Sequence, residues 1–401
     1  MPITKQLQDT TATDLLCLSH LRWGFVYQRP QHLISRFAKS KRVFFVEEPI
    51  FTDAVTPPEM DTRICQESGV TVCVPHLPTG LGHDTVLTIQ KLLLNNLIIE
   101  HDISDYILWY YTPMALEFSR HLSPAITVFD CMDELSAFAG APREMKDREA
   151  EMLRRAEVVF TGGQSLYEAK KDRHTDVHCF PSSVDVPHFA QARTISQDPA
   201  DQKGIPHPRL GYCGVIDERM DLSLIENIAK ARPDWHIVMV GPVVKIDPNT
   251  LPKLPNIHYL GGKKYNELPH YLSGWDAAIL PFAHNDSTRF ISPTKTPEYL
   301  AGGKPVISTS ITDVVRPYGE MKVVRIADTP EDFVAAAQAA MDQDAKNPAW
   351  RSTVDALLSQ MSWDLTWRKM AWLIGDKLAE KQLAARNVRP GAASRPAVLG
   401  D

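Results

Sequence analysis

Short apolar runs alternate with helix-period segments along the whole chain, and the alternation starts twice. In the first half the runs are DLLCLSH (14–20), RVFFVEE (42–48), VTVCVP (70–75), YILWYY (106–111), AITVFD (125–130) and AEVVFTGG (156–163). Runs this short and this continuously apolar read as strands buried on both faces, as in parallel sheets. Between them PQHLISRFAKS (30–40), TVLTIQKLLLNNLIIEH (85–101) and EMKDREAEMLRRA (144–156) place apolar residues at helical spacing. Strand alternating with helix predicts an α/β fold with a doubly wound parallel sheet. The pattern then begins afresh with RLGYCGVI (209–216), WHIVMVGP (235–242), NIHYLGG (256–262), DAAILPF (276–282), PVIST (305–309) and KVVRIAD (322–328), which predicts a second Rossmann-like domain.

A chain of 401 residues exceeds what one core usually holds, so two domains facing a cleft are expected. The domain expectation is 1–190 and 205–365, joined by the polar, Pro-rich stretch 182–208, then a terminal helix over 366–386 and a disordered tail over 387–401. The formal net charge of −6 and the lack of a basic tail argue against a nucleic-acid partner. The cysteines Cys17, Cys65, Cys73, Cys131, Cys179 and Cys213 form no CxxC pair and read as reduced core thiols of a cytosolic protein. MPITKQLQDTTATDLLCLSH has no apolar signal region, and no stretch reaches the ~18 apolar residues of a spanning helix.

In open α/β sheets ligands sit beyond the carboxyl ends of the strands, so the residues after each run are the candidates. In SPTKTPEYLAGGKPVIST (292–309), Ser292 can cap a helix whose first turn holds Pro293, leaving the N–H groups of Thr294 and Lys295 beside its positive end. That is a seat for a diphosphate, with Lys295 adding a cation and Glu298 able to accept from a ribose diol; an ordinary i, i+3 ion pair on a capped helix fits equally well. In GYCGVIDERMD, Gly214 ends a strand and Arg219 could grip phosphate oxygens, or simply pair with Asp217 or Asp221. Gly241 in VMVGP lets backbone approach a flat base, unless it is only a turn.

In VFDCMDE, Asp130, Asp133 and Glu134 crowd a strand end, and Asp133 suits general-base work, against the alternative of a structural N-cap. His20, Arg22 and Gly24 follow the first strand in SHLRWGFVYQRPQH and could meet an acceptor or donor phosphates, or form a plain surface loop. Arg29, Arg36, Lys39, Lys41 and Arg42 make a basic helix face over 29–42 that could rest on anionic lipid, though solvation is the commoner fate of such a face.

GVIDERMDL and SPTKTPEYLAGGKPVIST, set in two Rossmann-like domains, together resemble the GT-B glycosyltransferases, close to the group 1 enzymes of bacterial surface-polysaccharide synthesis. RPQHLISRFA, VFFVEEP and VFDCMDE are similar to the acceptor half of that group, and the resemblance spans roughly residues 14–370. It implies a nucleotide-sugar donor, UDP-linked, held by the second domain, a glycan or lipid-linked saccharide acceptor held by the first, no cofactor, no metal, and a terminal helix crossing back to the first domain. Arg219 and Lys295 would neutralise the departing diphosphate and Glu298 would hold the ribose. Many retaining members carry a second Glu eight positions before the ribose Glu, and here that position is Phe290. An inverting displacement with Asp133 as base therefore becomes attractive. A lipid-linked acceptor would bring the protein to the cytoplasmic face of the inner membrane through 29–42. A sugar-nucleotide 2-epimerase of the same fold and a non-catalytic nucleotide-sugar or glycan-binding protein are the other readings.

Overall fold

The computed structural model describes residues 14–53 and 57–388. The first sheet contains β1 (Asp14–Leu18), β2 (Arg42–Val46), β3 (Ile50–Phe51), β4 (Glu59–Ile64), β5 (Thr71–Leu77), β6 (Tyr106–Tyr110), β7 (Ile126–Cys131), β8 (Val158–Thr161) and β9 (Val177–Cys179). Its order is β3-β5-β2-β1-β6-β7-β8-β9, with β4 antiparallel to β5 at one side and every other pairing parallel. The second sheet, β10 (Arg209–Cys213), β11 (His236–Val240), β12 (Ile257–Gly261), β13 (Ala277–Leu280), β14 (Val306–Ser308) and β15 (Val324–Ile326), is parallel in the order β12-β11-β10-β13-β14-β15. In both sheets the strand order reverses beside the first strand of the domain, which opens a crevice there at the carboxyl ends.

The apolar runs of the central strands are buried on both faces because helices cover the sheet on both sides, whereas the edge strands β12 and β15 are only partly buried. In the first domain Leu15, Cys17, Val43 and Phe45 pack with Leu33, Ile34 and Phe37 of the helix Arg29–Phe37, while Leu16, Leu18, Phe44 and Val46 pack with Leu94 and Leu97 of the helix His83–Glu100. The second domain closes around one core of its own.

Two expectations of domain organisation need correcting. The polar stretch 182–208 is packed rather than loose: Val184, Phe189, Ala192 and Ile205 are buried in the second core, and short helices occupy Val186–Ala190 and Gln191–Arg193. The terminal helix runs Trp363–Val388, longer than expected, and Trp363, Met370, Ala371, Ile374 and Leu378 pack into the first domain's core beside Leu33, Ile34 and Phe37. Residues 389–401 of the expected tail lie outside the described residues.

The basic face over 29–42 is occupied by internal partners. Arg29 is buried and grips Asp130 through Nε and Nη2 at 2.8–3.2 Å. Arg36 bonds Asp364 of the terminal helix (2.8 Å), Arg42 pairs with Asp14 (2.7 Å), and Lys41 feels Asp105 and Asp14. Lys39 is exposed. No helix of the described residues is long and apolar enough to cross a membrane.

Candidate active site

Three groups stack at the carboxyl ends of β10 and β11. Gly214 follows β10 at φ +154° and Gly241 follows β11 at φ +153°, backbone that L side chains rarely adopt. A Cβ on Gly241 would lie 1.8 Å from the Gly214 carbonyl oxygen, and one on Gly214 would lie 1.9 Å from Cε of Lys295. Only bare backbone lets these turns lie one on the other with Lys295 across the top. Tyr299, one helical turn past Lys295, accepts the Cys213 N–H (2.7 Å) and donates to the Cys213 carbonyl (3.1 Å), fixing the helix Lys295–Ala301 to the end of β10.

Burial lowers the Lys295 pKa, Glu298 opposes that, and Arg219 pushes in the same direction as burial. Burial raises Glu298 to about 7 despite the attraction of Lys295. A cation and an anion that both resist their own charges are poised to gain from a ligand that brings complementary groups.

Arg219 is held by Asp217 through Nε (2.9 and 3.1 Å) and Nη2 (2.7 Å), so the pairing that the sequence offered as its plain alternative is present. Burial works against its charge, yet Asp217 more than compensates and holds the guanidinium pKa above its ordinary value. Its Nη1 makes no hydrogen bond among the described residues, and the guanidinium lies 5.7 Å from the ring of Phe138 in the first domain. Lys245, which follows β11 at φ +62°, puts its Nζ 5.0 Å from the same ring. Phe138 thus faces two cations of the opposite domain, and no local pattern marks Lys245 as a cleft residue.

From the first domain, Asp133 follows β7. Burial raises its pKa, and Arg219, Arg29 and Lys245 draw it back. Its carboxylate has no hydrogen-bond partner among the described residues, whereas Asp130 is taken up by Arg29 and Glu134 by Lys170 and Ser136. His20 follows β1; burial first, then the charge of Lys245, lowers it to about 4, and its Nδ1 is buried without a partner among the described residues. It is a neutral imidazole at ordinary pH, able to share a hydrogen bond with a hydroxyl.

Three candidates take other roles. Arg22 turns away to the end of β2, bonding Glu47 (3.1 Å) and the carbonyls of Glu48 (2.5 Å) and Pro49 (3.2 Å), so it shapes the loop. Gly24 is exposed, and a Cβ there would touch nothing closer than Arg63 at 3.9 Å, so no close approach requires it. Ser292 does not cap the helix, which begins at Lys295 without a side-chain cap. Its Cβ lies instead 2.8 Å from where Gly163 of the first domain would carry one. There Asp313 of the second domain accepts the Ser165 N–H (2.9 Å) across the domain boundary. Thr294 opens the helix, with Glu298 N–H bonding its carbonyl at 3.3 Å. Phe290, the position of the second Glu in many retaining enzymes, packs against the core of the first domain. Among the described residues no group of three or more His, Cys, Asp or Glu is placed to hold a metal.

Two Rossmann-like domains facing a crevice are the GT-B fold. Residues 207–343, within the second domain, match the family described as "Glycosyl transferases group 1". The chain is 27% identical over 255 residues to the putative teichuronic acid biosynthesis glycosyltransferase TuaH of Bacillus subtilis (strain 168), a match covering 59% of this chain and 64% of that protein. In fold it resembles a sucrose-phosphate synthase from Thermosynechococcus elongatus (TM-score 0.66, 14% identity, 93% of this chain and all of that one). It also resembles Anabaena HepE, solved with UDP and glucose (TM-score 0.63, 13% identity, 90% of this chain and 99% of that one).

Proposed function

We propose that the protein transfers a sugar from a nucleotide diphosphate donor, UDP-linked, to a saccharide acceptor in the synthesis of a surface polysaccharide. The observation that carries this reading is the Gly241–Gly214–Lys295 stack, with Arg219 and Glu298 beside it, facing a carboxylate at Asp133 that no side chain holds among the described residues. The backbone turns would admit the nucleotide, Lys295 and the free Nη1 of Arg219 would meet the diphosphate, and Glu298 would take the ribose hydroxyls. Negative charge grows on the diphosphate as the glycosidic bond breaks, so cations fixed at that place stabilise the transition state more than the ground state. Asp133 would accept the proton of the attacking hydroxyl from the opposite wall, with neutral His20 orienting it. The match to a teichuronic acid glycosyltransferase supports a polysaccharide acceptor, and a neighbour solved with UDP and glucose supports the donor class. Peripheral attachment to a membrane through 29–42 is left out of the reading, because those cations are largely paired within the protein.

The test is thermal stabilisation by UDP, GDP, dTDP and ADP, with and without magnesium. One nucleotide at about 100 times its dissociation constant should add ~2.7 kcal/mol, and Lys295→Ala should remove most of that gain. No stabilisation by any nucleotide would overturn the reading. An epimerase would turn over its nucleotide sugar without an acceptor, and a pure binding protein would turn over nothing.

A further inference from the structure

We infer that the carboxyl ends of β1, β2 and β6 form a subsite for a neutral sugar ring of the acceptor, apart from the ring that reacts at Asp133; the inference rests on the transferase reading. A cavity of about 280 Å³ opens there, near the lower size of small-molecule sites. Leu18, Val46, Leu87, Met114 and Phe118 wall it, the helix His83–Glu100 backs it, and Phe51, 48% exposed, lies along it.

Gln90 is the decisive residue. Four amide side chains are buried among the described residues, Gln31, Gln90, Gln202 and Asn256. Gln31 donates to the Trp23 carbonyl (2.8 Å) and accepts the Gln28 N–H (3.0 Å). Gln202 accepts from Trp275 Nε1 (3.0 Å) and donates to Asp198 (3.0 Å). Asn256 donates to the carbonyls of Ala229 and Trp235 at 3.0 and 2.9 Å. Gln90, 8% exposed, lines the cavity, and its carboxamide has no partner among the described residues. Neither of its amide atoms is sealed from solvent, so the carboxamide opens into the cavity, where it can both donate to and accept from whatever enters.

The lining also selects the class of ligand. Among the described residues no Lys or Arg lines the cavity to hold a phosphate or uronate; Glu47 is paired with Arg22 and Glu117 with Arg148, which leaves Glu48 as the carboxylate without an ion-pair partner. The Glu48 carboxyl has no hydrogen-bond partner among the described residues; burial raises its pKa, and Arg22 and Lys245 pull it down. Lys245 of the second domain acts on Glu48, so this carboxyl lies on the side of the cavity near the cleft. An alkyl chain would satisfy the apolar walls and leave Gln90 and Glu48 unpaired. A pyranose ring offers C–H faces to the walls and hydroxyls to a carboxamide that both donates and accepts, and to a carboxylate that accepts.

The experiment is saturation-transfer NMR on the whole protein with methyl glucoside, methyl galactoside, methyl N-acetylglucosaminide, methyl glucuronide and octyl glucoside as probes. At least one neutral glycoside should receive saturation at its ring protons, and the glucuronide should receive less. Gln90→Leu should weaken that binding about five- to tenfold, the loss of one hydrogen bond, and Leu87→Trp, which fills the cavity, should abolish it. The melting temperature and UDP response of each variant report its folding. No saturation from any neutral glycoside, equal binding in both variants, or saturation confined to the octyl chain would overturn the inference. The transferase reading is tested separately by the Lys295→Ala response: a protein that binds sugar here and no nucleotide would keep the subsite and lose that reading.

Discussion

Glu298→Gln should make the free protein more stable while making it a poorer nucleotide binder. Burial raises the Glu298 carboxyl from its ordinary 4.5 to about 7, and the attraction of Lys295 is already included in that balance. At ~1.4 kcal/mol per pH unit, ionising Glu298 in the folded domain costs about 3 kcal/mol more than in the unfolded chain. A carboxyl raised on folding contributes stability that is fully present below about 4.5 and lost as pH rises through about 7. The amide keeps the shape and cannot ionise, so the variant escapes that loss. At pH 8.5 it should exceed the wild type by about 3 kcal/mol, or about 6–12 °C in Tm for a domain of this size, and at pH 5 by about 1 kcal/mol. Differential scanning calorimetry across this range measures the gap, and added UDP should stabilise the variant less than the wild type. A variant no more stable at pH 8.5, or one whose stability falls with pH in parallel with the wild type, would refute the reasoning about this carboxyl.

Three further outcomes are expected. Gly214→Ala should lose most of the UDP stabilisation of ~2.7 kcal/mol, since its φ of +154° and the 1.9 Å approach to Lys295 Cε leave no room for a methyl; isothermal titration checks it. Asp133→Asn should abolish sugar transfer and keep the UDP response, and full transfer activity in that variant would remove Asp133 from the mechanism. Arg29→Met strands the buried Asp130 carboxylate and should cost ~3–5 kcal/mol by urea unfolding, with Asp130→Leu in the same chain recovering most of it.

Strands whose runs are buried on both faces, such as DLLCLSH and WHIVMVGP, announced themselves through composition. The strand β4, EMDTRI, did not, because it is largely exposed and carries no apolar period. Gly214, Gly241, Arg219, Lys295 and Glu298 were legible as a group because each follows or adjoins a strand end, where an α/β sheet places its ligands. Arg29 was not, since its partner Asp130 is 101 residues away and a cation on a basic helix looks like surface. Arg22 was misjudged for the same reason, its partners being Glu47 and the carbonyls beyond it. Ser292 followed by proline looks like a cap, but the first helical turn begins three residues later and the serine meets Gly163 instead. Lys245 and Phe138 face each other only once two domains are placed in space, and no local pattern encodes that.

The terminal helix Trp363–Val388 also bears on how the chain is made. The first domain leaves the ribosome before the second, yet the face formed by Leu33, Ile34 and Phe37 is covered by Trp363, Met370 and Ile374, which are synthesised only after the whole second domain. The second domain, contiguous from about Val184 to Leu358, can close its core while the first still exposes an apolar strip. Domains ordinarily fold in the order they are synthesised; here the first to be begun is the last to be completed, and a chain truncated before Trp363 would leave that strip open to aggregation or to chaperones.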